Sequence, residues 1–275
     1  MLTVPGKPVG VCFNSRSDVE WFTRRWNEAV TMTGDNGGPL PRVLLWAVEH
    51  AASLGRPLSA TTLCEAAVGR LEVDGVALTI DTPRGVSDTR CATSPLAEQL
   101  AELHNTVEEG PSVDACREGI AVLAADLDAP ELQSRWPLFT PLAVEAGAHA
   151  VFALPLRIGS IVLGAFSLHR AEALALSPAS LIDALAFAQL ALRMLLDEHA
   201  GLLSPDGAPW IEALPLHSAQ VHQATGMVAA QLEVSARDAL ASLRARAFAE
   251  QRTLSDLAAA VVAREIRFAP FKEPT

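Results

Sequence analysis

The last sixty residues constrain the fold more than any other part of the chain. Between His217 and Phe268, small and apolar residues recur at spacings of three and four, which places them on one face of each of three helices. They are Val221, Ala224, Val228 and Leu232 in the first helix, Ala236, Leu240, Leu243 and Ala247 in the second, and Leu254, Leu257, Ala258 and Val261 in the third. The pattern predicts an all-α three-helix bundle over residues 216–269.

Two pairs of polar residues predict where the second and third helices begin. Ser235 with Asp238, and Thr253 with Asp256, have the spacing of a capping box, in which a hydroxyl and an acidic side chain satisfy free backbone N–H groups. Helix starts near residues 236 and 254 are therefore expected.

The order and spacing of several residues in this bundle resemble the ANTAR domain along its whole length. The matching residues are Ala224-Thr225-Gly226, Asp238-Ala239, Leu243-Arg244, Ala247 and Leu257-Ala258. The resemblance implies binding to hairpins in nascent transcripts and prevention of transcription termination. The chain departs from the pattern at Thr225, where the family often has a basic residue.

The candidate RNA-contacting residues combine this resemblance with the chemistry of arginine. Guanidinium groups suit phosphates and base edges, although a charged helix face is often simply solvated. The candidates are Thr225, Gly226, Arg237, Arg244, Arg246 and Arg252. Arg244 is the best placed, because it matches the family's Leu-Arg pair. The small residues Ala224, Ala239, Ala247 and Ala258 are interpreted as close helix packing.

The charge distribution limits how RNA would be recognised. From Trp210 onward there are seven basic and seven acidic residues, so the upstream part carries the whole net charge of −11. A general nucleic-acid binder shows a basic surface, because phosphate neutralisation supplies most non-specific affinity. Recognition of loop bases and shape is therefore expected. The alternative is a signalling protein whose helical bundle docks another protein.

Length and composition favour a two-domain protein in the cytoplasm. The chain has 275 residues, half of them hydrophobic. The N-terminus lacks the apolar core of a signal peptide, and no apolar run is long and uninterrupted enough to span a bilayer, so no membrane partner is expected. Four scattered cysteines, Cys12, Cys64, Cys91 and Cys116, predict reduced thiols and neither a zinc site nor a disulfide framework.

Upstream of the bundle, the order of elements predicts an α+β domain with an antiparallel sheet flanked by helices. Helices are expected over 42–54, from 59 or 60 through Leu71, over 96–103, and as one helix that contains both 132–136 and 139–146. Strands are expected over 75–80, 89–93 and 121–125, followed by a hairpin of 148–156 and 161–169 around the turn 157–160.

Three sequence blocks in that domain resemble a GAF domain over about residues 42–200. They are Asp74 to Thr79, Glu109 to Ala115, and Ala153 to Leu156 with Ile161 to Leu168. The second block is close to a segment often found where a GAF domain precedes ANTAR, with Ser112 where a cysteine is common. The resemblance implies small-ligand sensing or dimerisation, and the whole chain resembles the GAF–ANTAR antitermination regulators.

A ligand pocket is expected between the sheet and the segment from about Ala125 to Gly147. Trp136, Phe139, His149 and Phe152 are its candidate lining residues, although the ordinary interpretation of such residues is a hydrophobic core. The sequence shows no phosphate-binding loop or nucleophile elbow and no metal-ligand pair. We therefore expect no catalytic residues, no metal, no cofactor and no enzymatic activity.

A long apolar helix from about Ser180 to Leu203 predicts a homodimer, because a monomer would leave one of its apolar faces wet. The alternative is a core helix within one chain. The predicted organisation is an N-terminal extension with a short helix (1–41), a GAF-like sensor domain including the long helix (42–203), a hinge (204–215), the bundle (216–269) and a tail (270–275).

Overall fold

A computed structural model describes residues 38–81, 86–199 and 216–269. The short helix predicted in the N-terminal extension, the hinge at 204–215 and the tail at 270–275 lie outside these residues. The described residues form an N-terminal domain over 38–199 and a C-terminal bundle over 216–269.

The N-terminal domain is built on an antiparallel sheet. Its strands are β1 (Gly75–Asp81), β2 (Ser87–Ala92), β3 (Val122–Ala124), β4 (Ala150–Ile158) and β5 (Ile161–Arg170), in the order β2-β1-β5-β4-β3. The β4–β5 hairpin turns at Gly159 and Ser160, where Ile158 pairs with Ile161. The turn predicted over 157–160 is wider than the observed one, because the sequence does not show at which residue the pairing of the two strands ends. The predicted antiparallel α+β domain is confirmed.

Three helices cover one face of the sheet. They are α1 (Pro39–Ser53), α2 (Ala60–Leu71) and α7 (Pro178–His199). Ser59 caps α2 by accepting a hydrogen bond from the Thr62 N–H. Alternate strand residues such as Leu78, Phe152 and Phe166 point into this layer and are fully buried with the inner faces of the helices.

Helices on the opposite face shape the candidate site. They are α3 (Pro95–Val107), α4 (Pro111–Glu118), α5 (Pro130–Arg135) and α6 (Phe139–Glu145). Helix α4 was not predicted as a helix, because its eight residues, PSVDACRE, show no apolar periodicity. Its first residue is proline, whose missing N–H costs nothing at a helix start.

The C-terminal bundle consists of α8 (Leu216–Leu232), α9 (Ala236–Ala249) and α10 (Leu254–Val262). Ser235 and Thr253 accept hydrogen bonds from the Asp238 and Asp256 N–H groups, so both predicted helix starts are confirmed. The predicted apolar faces form one core, except that Leu232 is only partly buried and Ala236 is exposed. Ala239 occupies the core instead of Ala236.

The bundle packs against β2 and α3 of the N-terminal domain. Val86, just before β2, is 2% exposed and belongs to the bundle's hydrophobic core. The Leu254 N–H donates to Thr106 Oγ1 at 3.2 Å, and Ser255 Oγ donates to Glu102 Oε1 at 2.9 Å. The interface therefore joins a small apolar contact to several polar ones.

Helix α7 corrects the premise of the predicted homodimer. Ala184, Ala188 and Ala191 lie at most 5% exposed, because α1, α2 and β4 cover the helix within one chain. By length and composition the stretch Pro178–Glu198 could cross a membrane, contrary to the expectation from the sequence. However, 61% of its most apolar part is buried inside the protein, as in the core helix of a soluble fold. Among the large apolar residues in the described part of α7, Leu196 alone is exposed, at 38%, so no continuous apolar face is exposed there, and the homodimer stays a prediction.

The predicted reduced state of all cysteines is wrong for two of them. Cys64 on α2 and Cys91 on β2 form a disulfide in the structure, although 27 residues separate them in sequence. Cys116 on α4 is a free thiol. The chain distance alone gave no reason to pair the first two, because the contact depends on how α2 packs on the sheet.

Candidate functional site

A cavity of about 310 Å³ lies between the sheet and helices α3 and α4. Its floor consists of polar side chains at alternate positions of the two central strands, Thr79 and Asp81 on β1 and Ser167 and His169 on β5. Because side chains alternate between the faces of a strand, these four share one face while Leu78 and Phe166 enter the opposite core.

Helix α4 contributes Ser112 and Cys116 to the cavity. The Ser112 and Ser167 hydroxyls are hydrogen-bonded at 2.7 Å, which ties α4 to β5. Burial raises the pKa of the Cys116 thiol, and the neighbouring Asp81 raises it further. Since the thiolate is the reactive form of cysteine, Cys116 is not an activated nucleophile.

Helix α3 contributes His104, a buried imidazole whose hydrogen bonds fix its orientation. Nδ1 lies 2.7 Å from the Leu100 carbonyl oxygen and donates to it, which leaves Nε2 to accept from the Ser112 N–H at 3.4 Å. Its ring stacks on Phe139 with centroids 4.4 Å apart. Burial lowers the pKa of His104 to about 4, so the ring is uncharged at neutral pH.

Gly110 makes this arrangement possible at the start of α4. Its φ of 113° is one that L side chains rarely adopt, and an added Cβ would lie 2.7 Å from His104 Cδ2 and 2.8 Å from Phe139 Cδ2. Any larger residue would therefore displace the rings behind the cavity.

The rim of the cavity carries charges from both regions of the chain. Glu108 ends α3 and Arg117 lies on α4, and both side chains are more than half exposed. Arg244 of the bundle also lines the cavity, with its Nη1 2.6 Å from Glu108 Oε1. Burial lowers the pKa of the Arg244 guanidinium, and Glu108 opposes that shift. The bundle is thus part of the cavity wall.

The four residues predicted to line a pocket do not meet in one. Phe152 is buried on the α1–α2–α7 face of the sheet, whereas Trp136 and Phe139 are buried on the opposite face. The Trp136 Nε1–H donates to Asp114 Oδ2 at 3.0 Å. His149 Nδ1 lies 2.7 Å from Asp128 Oδ2, away from the cavity. The cavity lies under α3 and α4 rather than under residues 125–147.

Two of the candidate RNA-contacting residues lie on α8. Thr225 is 8% exposed, and its hydroxyl donates to the Val221 carbonyl oxygen at 2.7 Å. A buried hydroxyl bonded to its own helix favours a packing role for Thr225, and the RNA contact there stays a prediction. Gly226 is exposed, with no atom within 4 Å of an added Cβ.

The four candidate arginines lie in different environments. Arg237 is exposed on α9. Arg246 pairs with Glu250 at 2.7 Å and stacks over Phe268, and Arg252 lies 3.6 Å from the same carboxylate. Arg246 lowers the pKa of Glu250 mainly by hydrogen bonding to it. Arg244 alone among the four contacts the N-terminal domain through the ion pair at the cavity rim.

Sequence reasoning missed His104 and His169 and assigned no ligand-binding role to Ser167. A usable signal was present, because Thr79 and Asp81, and Ser167 and His169, place polar side chains at alternate positions of strands otherwise rich in apolar residues. Polar side chains that face the same side of two neighbouring strands indicate a polar cavity on that side rather than an apolar core. His104 carries no comparable signal in the sequence.

The chain resembles solved structures in fold, but sequence comparisons give no match. No protein-family model and no curated protein matches the chain. The chain is similar to the GAF domain of a phosphoenolpyruvate-protein phosphotransferase from Coxiella burnetii, at 12% identity over 58% of this chain and 96% of that one, with a TM-score of 0.44. It is similar to the GAF domain of the Acinetobacter phosphoenolpyruvate-protein phosphotransferase at 10% identity, over 57% and 94% of the two chains, with a TM-score of 0.43.

A third similar structure is the type II free methionine-R-sulfoxide reductase from Thermoplasma acidophilum. It is 11% identical, over 55% of this chain and 96% of that one, with a TM-score of 0.38.

Among the described residues of the present protein, no group of three or more histidine, cysteine or acidic side chains is arranged to hold a metal ion.

Proposed function

We propose that this chain is a non-enzymatic, cytoplasmic signalling protein in which a GAF-like sensor domain controls an ANTAR-like bundle that binds structured RNA and modulates transcription termination. One observation carries the proposal. Arg244, the residue that the family resemblance matches best, also lines the cavity of the N-terminal domain. A molecule in the cavity and an RNA on the bundle would thus act on the same side chain.

The cavity's lining favours a small, polar, uncharged ligand. Its volume is at the lower end of the range for small-molecule sites. Asp81 and Glu108 are balanced by Arg117 and Arg244, and the inner wall offers hydroxyls and an uncharged imidazole. A charged ligand would lose its hydration in the cavity, where the two acidic and two basic side chains already balance each other.

The absence of an enzymatic activity is supported by the chemistry of this lining. Nucleophilic catalysis by cysteine needs a lowered thiol pKa, whereas the pKa of Cys116 is raised. The Ser112 hydroxyl is hydrogen-bonded to Ser167 rather than to His104, so no serine–base pair is formed there.

Recognition of RNA by the bundle rests on the family resemblance and on the arginines around α9. Arg237 is exposed, whereas the half-buried Arg246 and Arg252 would have to exchange the Glu250 carboxylate for a phosphate. With equal numbers of acidic and basic residues in the segment, we expect a modest number of phosphate contacts and a corresponding dependence on RNA shape.

A second candidate function is docking of the bundle on another protein, with no RNA involved. A specific observation favours it, because the face of α9 that carries Arg244 already binds a protein surface, α3 of the same chain. A partner protein with a similar acidic helix end would fit that face.

The test is binding of the full chain to an RNA of two tandem hairpins and to a scrambled RNA of equal length. The proposed function predicts selective binding that weakens linearly in a plot of log affinity against log salt concentration. Arg237→Ala should weaken it and reduce the slope by about one phosphate contact. Equal, negligible binding to both RNAs by the wild type and by the opened variant described below would contradict the RNA function and favour protein docking.

A further inference from the structure

The contact between Arg244 and the end of α3 holds the bundle on the N-terminal domain. The Arg244 side chain is only 12% exposed, while its partner Glu108 is 58% exposed. Arg244 Nε also donates to the Asn105 carbonyl oxygen at 2.9 Å. The guanidinium therefore binds both the carboxylate and a free backbone carbonyl in the last turn of α3, where the negative end of the helix dipole favours a cation.

Asn105 links this contact to the sheet. Its side-chain Oδ1 accepts from the Ser87 N–H at 2.9 Å, and its Nδ2 donates to the Ser87 carbonyl oxygen at 2.8 Å. The α3 carbonyl that receives Arg244 is thus fixed to β2, which lies at the edge of the sheet. Movement of α3 relative to β2 would therefore shift the Asn105 carbonyl oxygen relative to Arg244.

A second contact lies at the start of α10. The first helical N–H groups have no partner inside their own helix, and that of Leu254 is satisfied by Thr106 Oγ1. Beside it, Ser255 binds Glu102. Two successive turns of α3 therefore receive polar groups from two helices of the bundle.

From these contacts we infer that the structure is a closed state in which the N-terminal domain masks Arg244 from RNA, with the Glu108–Arg244 pair as its latch. The inference rests on the proposed RNA binding. The Arg244 side chain is only 12% exposed, and two of its five N–H groups are bonded to Glu108 and Asn105, so a phosphate or base edge cannot approach it in this state. RNA binding through Arg244 therefore requires release of α9 from α3.

The latch also couples release to the cavity. Glu108 and Arg244 line the cavity together, and His104 and Asn105 of the same α3 turn line it as well. A ligand that binds more tightly when α3 is displaced from Arg244 would favour the open state by its difference in affinity between the two states.

The test uses Glu108→Lys in the full chain. Glu108 has a left-handed φ of 54° as the residue that ends α3, and lysine at a helix C-terminus interacts favourably with the dipole, so α3 itself is not weakened. Glu72→Lys is a matched control, because Glu72 ends α2 with the same φ of 54° and lies outside the interface.

Two readouts are measured on each variant. Hydrogen exchange of the peptide containing the Leu254 amide reports docking without RNA, because that amide is protected by Thr106 rather than by its own helix. Fluorescence anisotropy with the two-hairpin RNA reports affinity. We expect Glu108→Lys to accelerate exchange and to tighten RNA binding by about tenfold, a typical allosteric coupling. Glu72→Lys should change neither.

The outcomes separate the latch from the function on which it rests. Unchanged exchange at Leu254 in Glu108→Lys would overturn the latch. Faster exchange with unchanged but selective RNA binding would overturn the masking and keep the RNA function. Faster exchange with no RNA bound by any variant would overturn the RNA function and the masking with it, leaving an intramolecular docking contact.

Discussion

Ser112 Oγ and Ser167 Oγ lie 2.7 Å apart and join the first turn of α4 to the central strand β5. The hydrogen bond spans 55 residues of sequence and closes the floor of the cavity. Because the two hydroxyls satisfy each other, the floor keeps its shape without a ligand.

A double-mutant cycle of Ser112→Ala and Ser167→Ala should show coupling of about 1 kcal/mol in the free energy of unfolding. Each single variant leaves one buried hydroxyl without its partner, and the double variant leaves none. Urea unfolding of the four proteins measures the coupling. Strictly additive losses would show that the bond contributes nothing to stability.

Acid should destabilise the protein through His104. Its pKa is about 4 in the folded protein against an ordinary 6.5, so the unfolded chain binds the extra proton first. Stability from this group is complete above pH 6.5 and falls as the pH drops towards 4, by about 3 kcal/mol in total. Urea midpoints at pH 7 and pH 4.5 should differ more for the wild type than for His104→Gln. Equal acid sensitivity would contradict the buried, uncharged imidazole.

Two glycine-to-alanine changes should have opposite effects. Gly110→Ala should cost about 2 kcal/mol, because its φ is strained for alanine and the new Cβ meets His104 and Phe139. Gly226→Ala should add up to about 1 kcal/mol, because it lies in an exposed helix with free space around it. Thermal or urea unfolding checks both. A neutral Gly110→Ala would mean that the α3–α4 corner tolerates a side chain.

The burial of α7 predicts how a charge placed there behaves. Ala191→Asp should destabilise the chain by about 3 kcal/mol, because Ala191 is fully buried within one protomer. Arg193→Asp, on the exposed side of the same helix, is the control. Urea unfolding and light scattering are measured together. A folded, stable Ala191→Asp monomer obtained from a wild-type dimer would instead place α7 in a subunit interface.

The elements that local pattern determines were predictable from the sequence. Ser235 and Thr253 predicted two helix starts, and the strands predicted over 75–80 and 161–169 match β1 and β5 closely. Helix α4 could not be found this way, since a proline start and a buried Gly110 turn define it rather than an apolar stripe. Capping residues and strand patterns act within a few residues of the element that they define, so the sequence alone reveals them.

The site depends on contacts between distant parts of the chain, which periodicity does not report. Phe152 and Trp136 are both apolar and near each other in the predicted order, yet the pleat of β4 sends Phe152 to the opposite face of the sheet. Arg244 was identified as a key residue, but its partners Asn105 and Glu108 lie more than 130 positions earlier. Only the packing of α9 on α3 brings them together.

The acidic end of α3 gives the closed state a further meaning. Glu102 and Glu108 bind Ser255 and Arg244 with carboxylate oxygens, the same kind of acceptor that a nucleic-acid backbone offers. Under the proposed function, these two carboxylates would occupy places on the bundle that RNA phosphates otherwise take. Signalling would then exchange these carboxylates for phosphates on α9 and α10, and a ligand in the cavity would change which of the two binds the bundle more tightly.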